Sequence, residues 1–124
     1  MSEAPALTDV EWRLMQCLWA HNQPMTVREI SQAVEADTGW SKHSIISFLK
    51  RMAAKGYVEI DHGRPIRYRP LLDRQDTMRK ETQNLLGKVY GGDLMLMVSN
   101  AVRVQPLSED EINELISILK GEEP

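Results

Sequence analysis

The segment from residue 41 to residue 56 carries serine, histidine, lysine and arginine side chains and no carboxylate. Its pattern predicts a helix, on which an advance of about 100° per residue separates an apolar face from a polar one. The apolar face, which we expect to be buried, consists of Ile45, Phe48, Leu49 and Met52. The opposite face consists of His43, Ser47, Lys50, Arg51 and Ala54, with Ile46 at its margin. Short and basic side chains suit the major groove of DNA, where they reach base edges and phosphates, so this face predicts DNA binding.

Two further features add to the expected attraction for phosphate. The first backbone N–H groups of this helix, at residues 41–43, are available to an anion. The chain then alternates as in a strand, so that Ile66 and Tyr68 are expected on one face and Arg67 and Arg69 on the other. We expect Arg64, in the turn before that strand, and Arg67 to contact phosphates or the minor groove. Arg69 is a weaker candidate because an acidic residue of the neighbouring strand can pair with it.

The charge of the chain is unevenly distributed. Its 124 residues include 15 Lys and Arg against 18 Asp and Glu, which gives a net charge of −3. Residues 41–80 nevertheless hold ten basic and four acidic side chains, whereas both flanks are acidic. Because the local field decides whether a polyanion is attracted, this middle third is the predicted binding region. An acidic protein partner docking on residues 41–80 is the alternative that these charges leave open.

Capping signals divide the first 56 residues into three predicted helices. An N-cap hydroxyl, followed in two of the three by Glu three residues later, satisfies free N–H groups of the first turn. The predicted helices begin at Thr8, Thr26 and Ser41 and end near Ala20, Ala36 and Lys55. Gly56 then stands where a left-handed residue commonly ends a helix. The third helix is the one that carries the polar face.

After Gly56 the sequence period changes from 3.6 to 2, which predicts strands at residues 57–60 and 66–72 joined by a turn. Three short helices followed by a β-hairpin are typical of a winged helix-turn-helix domain, which we assign to residues 1–72. The predicted fold class is therefore mostly α with a small β-hairpin.

Residues 73–124 predict a helical dimerisation arm. Helices are expected up to about Tyr90 and after a third capping box at Ser108, with a joint at the two glycines that follow Tyr90. The five apolar residues 94–98 are compatible with a helix or a strand, and the Ser-Asn-Ala that follows them favours a helix. These helices are too short to bury their apolar faces within one chain, so we predict a symmetric homodimer of two arms. The residues predicted for this contact are Leu94, Leu96, Met97, Ile112, Leu115, Ile116 and Leu119. Docking of the arm on residues 1–70 is the alternative.

The sequence lacks the residue patterns typical of disulfide-bonded, metal-binding, catalytic and membrane-spanning proteins. Cys17 is the single cysteine, so no disulfide can form within the chain, and the three histidines lack metal-site spacing. No phosphate-binding glycine loop or nucleophile–base pair is recognisable, so we expect neither enzyme activity nor a cofactor. No apolar run reaches the roughly 18 residues of a membrane span, and residues 2–5 lack a secretion signal. These features predict a cytoplasmic protein without direct membrane association.

Collinear motifs run through most of the chain. They are Leu7-Thr8-Asp9-Val10-Glu11-Trp12-Arg13-Leu14-Met15, Trp19, Trp40-Ser41, Ser44-Ile45, Arg51, Lys55-Gly56-Tyr57, Val89-Tyr90-Gly91-Gly92 and Leu107-Ser108-Glu109-Asp110-Glu111-Ile112-Asn113-Glu114-Leu115. Together they resemble the penicillinase-repressor (BlaI/MecI/CopY) family over about residues 7–120. The resemblance implies a dimeric winged-helix repressor of a pseudo-palindromic operator, released through a membrane sensor metalloprotease. Release by metal exchange, in a copper-sensing branch, needs a C-terminal cysteine cluster that this chain lacks.

Position by position, the resemblance implies DNA contacts along the third helix. They fall at Lys42, His43, Ser44, Ile46, Ser47 and Arg51. The family often has Thr at the two serine positions and a polar or basic residue at Ile46, so the base preference stays open. The candidate cleavage site is Asn100-Ala101, where Ala replaces a bulky residue. An asparagine at a helix end that is not cleaved is the alternative there.

The sequence thus predicts a sequence-specific DNA-binding transcriptional repressor, homodimeric and relieved by proteolysis in the arm. A winged-helix module that docks an acidic protein partner is the alternative from another functional class. A repressor of another winged-helix family, with a small-molecule pocket between arm and wing, is the third hypothesis. Double-stranded DNA, a second copy of the chain and a sensor metalloprotease system are the partners that the first hypothesis requires.

Overall fold

The computed structural model describes residues 7–122, which form six helices and a three-stranded antiparallel sheet. Residues 2–5, in which no secretion signal was recognised, and the last two residues of the tail lie outside the described part. In chain order the elements are α1 (Asp9–Ala20), β1 (Met25–Thr26), α2 (Val27–Thr38), α3 (Lys42–Ala54), β2 (Val58–Asp61), β3 (Arg67–Pro70), α4 (Arg74–Tyr90), α5 (Leu94–Val104) and α6 (Glu109–Leu119).

The predicted caps set the starts of the first three helices. At α1 the Thr8 side chain accepts a hydrogen bond from the Glu11 N–H, and the Glu11 carboxylate accepts one from the Thr8 N–H. Thr26 and Glu29 repeat this reciprocal arrangement at α2. Each box satisfies two N–H groups that a first helical turn leaves free. The predicted boundaries of α1 and α3 are confirmed to within one residue, and α2 runs two residues further than predicted.

The sheet contains the predicted hairpin and one additional strand. Its strand order is β1-β3-β2, so β3 lies between β2 and the two-residue strand β1. Met25 pairs with Tyr68, and Thr26 pairs with Arg67. Two residues are too short to show an alternating pattern, which is why β1 was not predicted. It ties the start of α2 to the strand that carries Arg67.

A single cluster of buried side chains holds α1, α2, α3 and the sheet together. The members with no exposed surface are Leu14, Met15, Ile30, Val34, Ile45 and Leu49. The Arg13 guanidinium donates to both carboxylate oxygens of Asp37, at 2.7 and 2.9 Å, and so joins α1 to the end of α2. The Trp19 indole donates to the Leu72 carbonyl at 3.0 Å and joins α1 to the segment after β3. These contacts fix the three helices against the hairpin.

Two details of the apolar pattern differ from the prediction. Phe48, expected in the core, is only half-buried and packs at the edge of the cluster. Ile66 remains 45% exposed because β3 begins at Arg67, so Ile66 precedes the alternating segment. Cys17 is buried as predicted, and burial raises the pKa of its thiol. A buried neutral thiol is chemically inert, which fits a structural role.

The chain divides into two units, Met1–Glu81 and Thr82–Pro124. In the second unit, Gly91 and Gly92 both have positive φ angles, 57° and 87°, and separate α4 from α5. The joint was predicted because glycine adopts this backbone region without a Cβ clash. α5 extends to Val104, well beyond the five apolar residues that predicted it. α6 begins at the predicted capping box of Ser108.

Candidate nucleic-acid interface

The recognition helix α3 is anchored by one face and exposes the other. Ile45 and Leu49 have no exposed surface and Met52 has almost none, so they fix the rotation of the helix about its axis. The opposite side we call the recognition face: Lys42, His43, Ser44, Ile46, Ser47, Lys50 and Arg51. Ser44 and Ile46 are half-buried and the other five are exposed. All the predicted α3 contacts therefore lie on one accessible side of the helix.

The first turn of α3 is capped by a hydroxyl and not by a carboxylate. Ser41 Oγ accepts a hydrogen bond from the Ser44 N–H at 3.1 Å, and the Ser41 hydroxyl donates to Ser44 Oγ at the same distance. No acidic residue stands in this turn. The partial positive charge of the helix N-terminus is therefore not neutralised by its own side chains. An anion at this end meets backbone N–H groups together with Lys42.

Ion pairing separates the basic residues of the middle third into two groups. Lys55 Nζ lies 2.5 Å from Glu11, and Arg69 Nε lies 2.6 Å from Glu59, so both of these cations already have a partner. The pairing of Arg69 with a neighbouring strand was predicted, and it is confirmed. The cations of the recognition face belong to the second group, which has no carboxylate partner. Within residues 7–122, Lys42, Lys50 and Arg51 form no ion pair with a carboxylate.

Arg51 lies at the edge of the recognition face, beside an aromatic pair. Its guanidinium carbon is 5.5 Å from the centroid of the Phe48 ring. The Phe48 ring in turn packs edge-to-face on Trp40, with centroids 5.3 Å apart and planes at 71°. Next to Arg51 is an open cleft of about 310 Å³, lined by Thr8, Val10, Glu11, Phe48, Arg51 and Lys55. Assigning Phe48 to the core missed this contact. Its position at the margin of the apolar face was the signal available in the sequence.

The wing, residues 62–66 between β2 and β3, carries Arg64 at an exposed position. Arg64 forms no ion pair within the described residues. Arg67, also exposed, pairs in register with Thr26 of β1 and Asp61 of β2. The pKa of Glu29 is lowered mainly by hydrogen bonds from Thr26, and the positive charge of Arg67 contributes to the same effect. Arg67 is therefore partly offset by a carboxylate, whereas Arg64 is not.

The predicted features of the arm lie on two helices. Every residue of α5 and α6 keeps at least part of its surface exposed, including all seven predicted dimer contacts. Asn100 and Ala101 are exposed near the end of α5, and the Ala101 carbonyl accepts a hydrogen bond from the Gln105 N–H at 2.9 Å. An apolar groove of about 430 Å³ runs between α5 and α6 and is lined by Met97, Ala101, Leu115 and Ile118, among others.

Across residues 7–122, no group of three or more His, Cys, Asp or Glu residues is arranged to hold a metal ion. The same part of the chain contains no helix that is long and apolar enough to cross a membrane.

Comparison with known proteins identifies the family. The model of the family described as "Penicillinase repressor" matches residues 7–121, which include α3, the wing and the three helices α4, α5 and α6. The chain belongs to the penicillinase repressor family. This confirms the resemblance predicted from the sequence motifs.

Individual members of the penicillinase repressor family match over most of their length. The chain is 31% identical over 123 residues to "Penicillinase repressor" of Bacillus licheniformis, covering 97% of this chain and 94% of the relative. It is 29% identical to "Methicillin resistance regulatory protein MecI" of Staphylococcus aureus, covering 91% and 92%. "Transcriptional regulator BlaI" of Mycobacterium tuberculosis is 31% identical over 77 residues, which covers 61% of this chain and 56% of the relative.

Proposed function

We propose that this chain is a transcriptional repressor that binds double-stranded DNA in a sequence-specific manner through α3 and the wing. The observation that carries the proposal is the recognition face, a helix side with three unpaired cations and two serines. Phosphates are expected to contact Lys42, Lys50 and the N-terminus of α3 and so position the helix. Arg51, Ser47 and Ile46 are then close enough to read base edges in the major groove. Family membership supports this proposal, since the relatives above are named as repressors or regulators.

We infer further that two copies of the chain act together through their arms. The arm presents an unusual amount of apolar surface for a chain in water, including Leu94, Leu96, Ile112, Ile116 and Leu119. Large exposed apolar patches mark interaction sites. A symmetric dimer covers the same patch on both copies and brings two α3 helices into one assembly. On DNA these helices occupy successive major grooves about 34 Å apart, so the operator is expected to be pseudo-palindromic.

Salt dependence of binding tests the DNA proposal. A duplex selected from a random pool by the protein is labelled, and its affinity is measured by fluorescence anisotropy over a fourfold rise in salt. If each copy neutralises about three phosphates, the affinity falls by about 10³. A flat salt dependence contradicts the proposal. An acidic polypeptide of matched charge serves as the control, and its binding in preference to the duplex would favour the protein-interaction alternative.

We also propose that proteolysis between Asn100 and Ala101 relieves repression by removing α6. Both residues are exposed, which permits access, but they lie in helix α5. Proteases bind extended chain, so the end of α5 has to unwind before cleavage. Loss of α6 removes four of the seven predicted dimer contacts and leaves the recognition face unchanged. Affinity then falls because each half-site is bound separately instead of by a linked pair.

A truncated chain ending at Asn100 tests the consequence of cleavage. We expect it to sediment as a monomer and to bind the selected duplex about 10²-fold more weakly than the full chain, the lower end of the range for a lost linkage. The full chain carrying Ala101→Ser is the control for the altered end of α5. A truncated chain that remains a dimer with full affinity contradicts this mode of relief. A sensor metalloprotease is the expected source of the cleavage.

A further inference from the structure

Arg51 has an aromatic contact that the other cations of the recognition face lack. Its guanidinium lies 5.5 Å from the centre of the Phe48 ring, within the range of a cation–π interaction. Phe48 also packs edge-to-face with Trp40, at a ring separation of 5.3 Å. Trp40 directly precedes Ser41, the N-cap of α3. The two rings form an aromatic platform, with Trp40 just before the N-terminus of α3 and Phe48 within the helix.

A second contact keeps Arg51 from being neutralised. The buried Glu11 lines the same cleft as Arg51 and is the acidic residue of that cleft that could compete for its charge. Lys55, one turn further along α3, holds Glu11 at 2.5 Å. Glu11 is thus already paired, and its carboxylate also accepts the Thr8 N–H. Arg51 is left on the aromatic face with its guanidinium N–H groups unpaired to any carboxylate of residues 7–122.

We propose that Phe48, supported by Trp40, is a positioning residue for sequence recognition, which holds Arg51 in the geometry that reads a base. An unsupported arginine side chain samples many rotamers. Fixing one rotamer when the arginine contacts a base costs conformational entropy, which weakens binding to the sequences that the arginine reads. A planar guanidinium resting on an aromatic ring is ordered beforehand and keeps its fork of N–H donors available for bidentate contact with guanine. This inference rests on the proposed DNA-binding function, and it adds a residue that does not itself touch DNA.

Phe48→Leu and Phe48→Tyr separate the aromatic platform from the volume of the side chain. Leucine preserves the apolar packing and removes the ring, whereas tyrosine preserves the ring. The measured quantity is the ratio of affinities for the selected duplex and for a scrambled duplex of the same length and composition. We expect Phe48→Leu to lower this ratio about three- to fivefold, as an exposed cation–π contact would, and Phe48→Tyr to restore it. The salt dependence of binding to the scrambled duplex should be the same in all three proteins.

Arg51→Ala supplies the second arm of the experiment. In the Arg51→Ala background, adding Phe48→Leu is expected to leave the ratio unchanged, because the platform then has no arginine to hold. An equal loss in both backgrounds would overturn the proposal, as would a Phe48→Tyr protein that behaves like Phe48→Leu. Retention of the full ratio by Phe48→Leu would also overturn it.

The free protein offers a measurement that does not depend on DNA binding. The ring current of Phe48 is expected to shift the side-chain proton resonances of Arg51 upfield, and Phe48→Leu should abolish this shift while leaving those of Lys42 unchanged. Absence of the shift in the wild-type protein overturns the platform whatever the protein binds. A protein that shows the shift but binds every duplex equally well contradicts the DNA-reading function and overturns the inference with it.

Discussion

The two units of the chain differ in where their apolar side chains go. The unit Met1–Glu81 contains a buried cluster drawn from α1, α2, α3 and the sheet, with residues such as Leu14 and Ile45 fully enclosed. In the described part of Thr82–Pro124, no side chain is buried, although α5 and α6 have clear apolar stripes. Both units have capped helices of similar length. The difference is therefore not in helix formation but in whether the same chain supplies the surface that covers each helix.

This contrast assigns a different role to each unit: the first holds the recognition face, and the second offers a surface for association. A core built from one chain holds the recognition face in a fixed geometry, so that no second copy is needed to form this face. Apolar helices left open can be covered by a second copy, which makes the number of recognition faces depend on protein concentration. Regulation can then act on the second unit without altering the first.

Ile116→Asp in α6 is expected to have the largest effect on function. A carboxylate in the predicted dimer face loses hydration when the arms meet, so the protein should become monomeric and its affinity for the selected duplex should fall by about 10² or more. Sedimentation equilibrium and anisotropy measure the two effects. Asn113→Asp adds the same charge to an exposed position of the same helix and should change neither. A dimeric Ile116→Asp protein would break the contrast between the units.

Leu14→Ala and Ile116→Ala sharpen the contrast in stability. Leu14 is fully buried, so its truncation should lower the free energy of unfolding of the first unit by about 2–5 kcal/mol. This loss should be the same at every protein concentration. Ile116→Ala should instead make the melting temperature less dependent on protein concentration than in the wild-type protein, because stabilisation by a second copy shrinks as association weakens. Thermal unfolding at two protein concentrations a hundredfold apart distinguishes the cases. The same concentration dependence in the Ile116→Ala variant and in the wild-type protein would mean that α6 is not an interface.

Arg51→Ala and Arg64→Ala test whether base reading and phosphate contact are carried by different residues of the first unit. Loss of a base-reading arginine should cost about 1–3 kcal/mol of discrimination between the selected and the scrambled duplex. Arg64→Ala removes a phosphate contact and should weaken binding to both duplexes about equally. Anisotropy titrations of both variants with both duplexes measure these effects. Equal weakening by Arg51→Ala on the two duplexes would show that Arg51 contacts phosphate only.

The smallest expected effect is in the pH dependence of stability. Burial raises the pKa of Glu11, but hydrogen bonds from Lys55 and Thr8 outweigh it, so the pKa lies below its ordinary value of 4.5. A carboxyl group with a lowered folded-state pKa stabilises the fold above 4.5, and this stabilisation is lost as the pH falls through the folded-state pKa. Glu11→Gln should therefore flatten the decline of stability below about pH 5. Denaturant titrations between acid and neutral pH measure this change in the free energy of unfolding. Glu35→Gln, at an exposed position of α2, is the control.

Most of the first unit was predictable from local signals. Capping pairs such as Thr8 with Glu11 act within one turn, and the apolar period of α3 assigns Ile45 and Leu49 to the core without any knowledge of their neighbours. Contacts between distant segments were not predictable in the same way. The strand formed by Met25 exists because β3 offers an edge to pair with. Phe48 and Arg51 lie three residues apart on one helix, so their proximity follows from the helical period. The exposure of this pair depends on the rotation of α3, which the whole core determines.

In the second unit, the sequence predicted the helices and a second copy as their cover, but the apolar pattern alone does not distinguish that cover from others. Amphipathic spacing in α6 is the same whether its stripe meets another helix of the chain, a second copy or a different partner. The candidate cleavage site shows the same limit. Asn100 was predicted as a cleavage site from a resemblance, with an asparagine at a helix end as the alternative, and the structure shows that α5 continues past it to Val104.

Half-site spacing gives the most direct test of two linked recognition faces on one DNA. The selected duplex is compared with one in which about five base pairs, half a helical turn, are inserted between its half-sites, so that they face opposite sides of the helix. A dimer joined by its arms should bind the altered duplex about 10²-fold more weakly, and Ile116→Asp should bind both duplexes equally. Equal affinity of the wild-type protein for the two duplexes would contradict the linked, sequence-reading dimer.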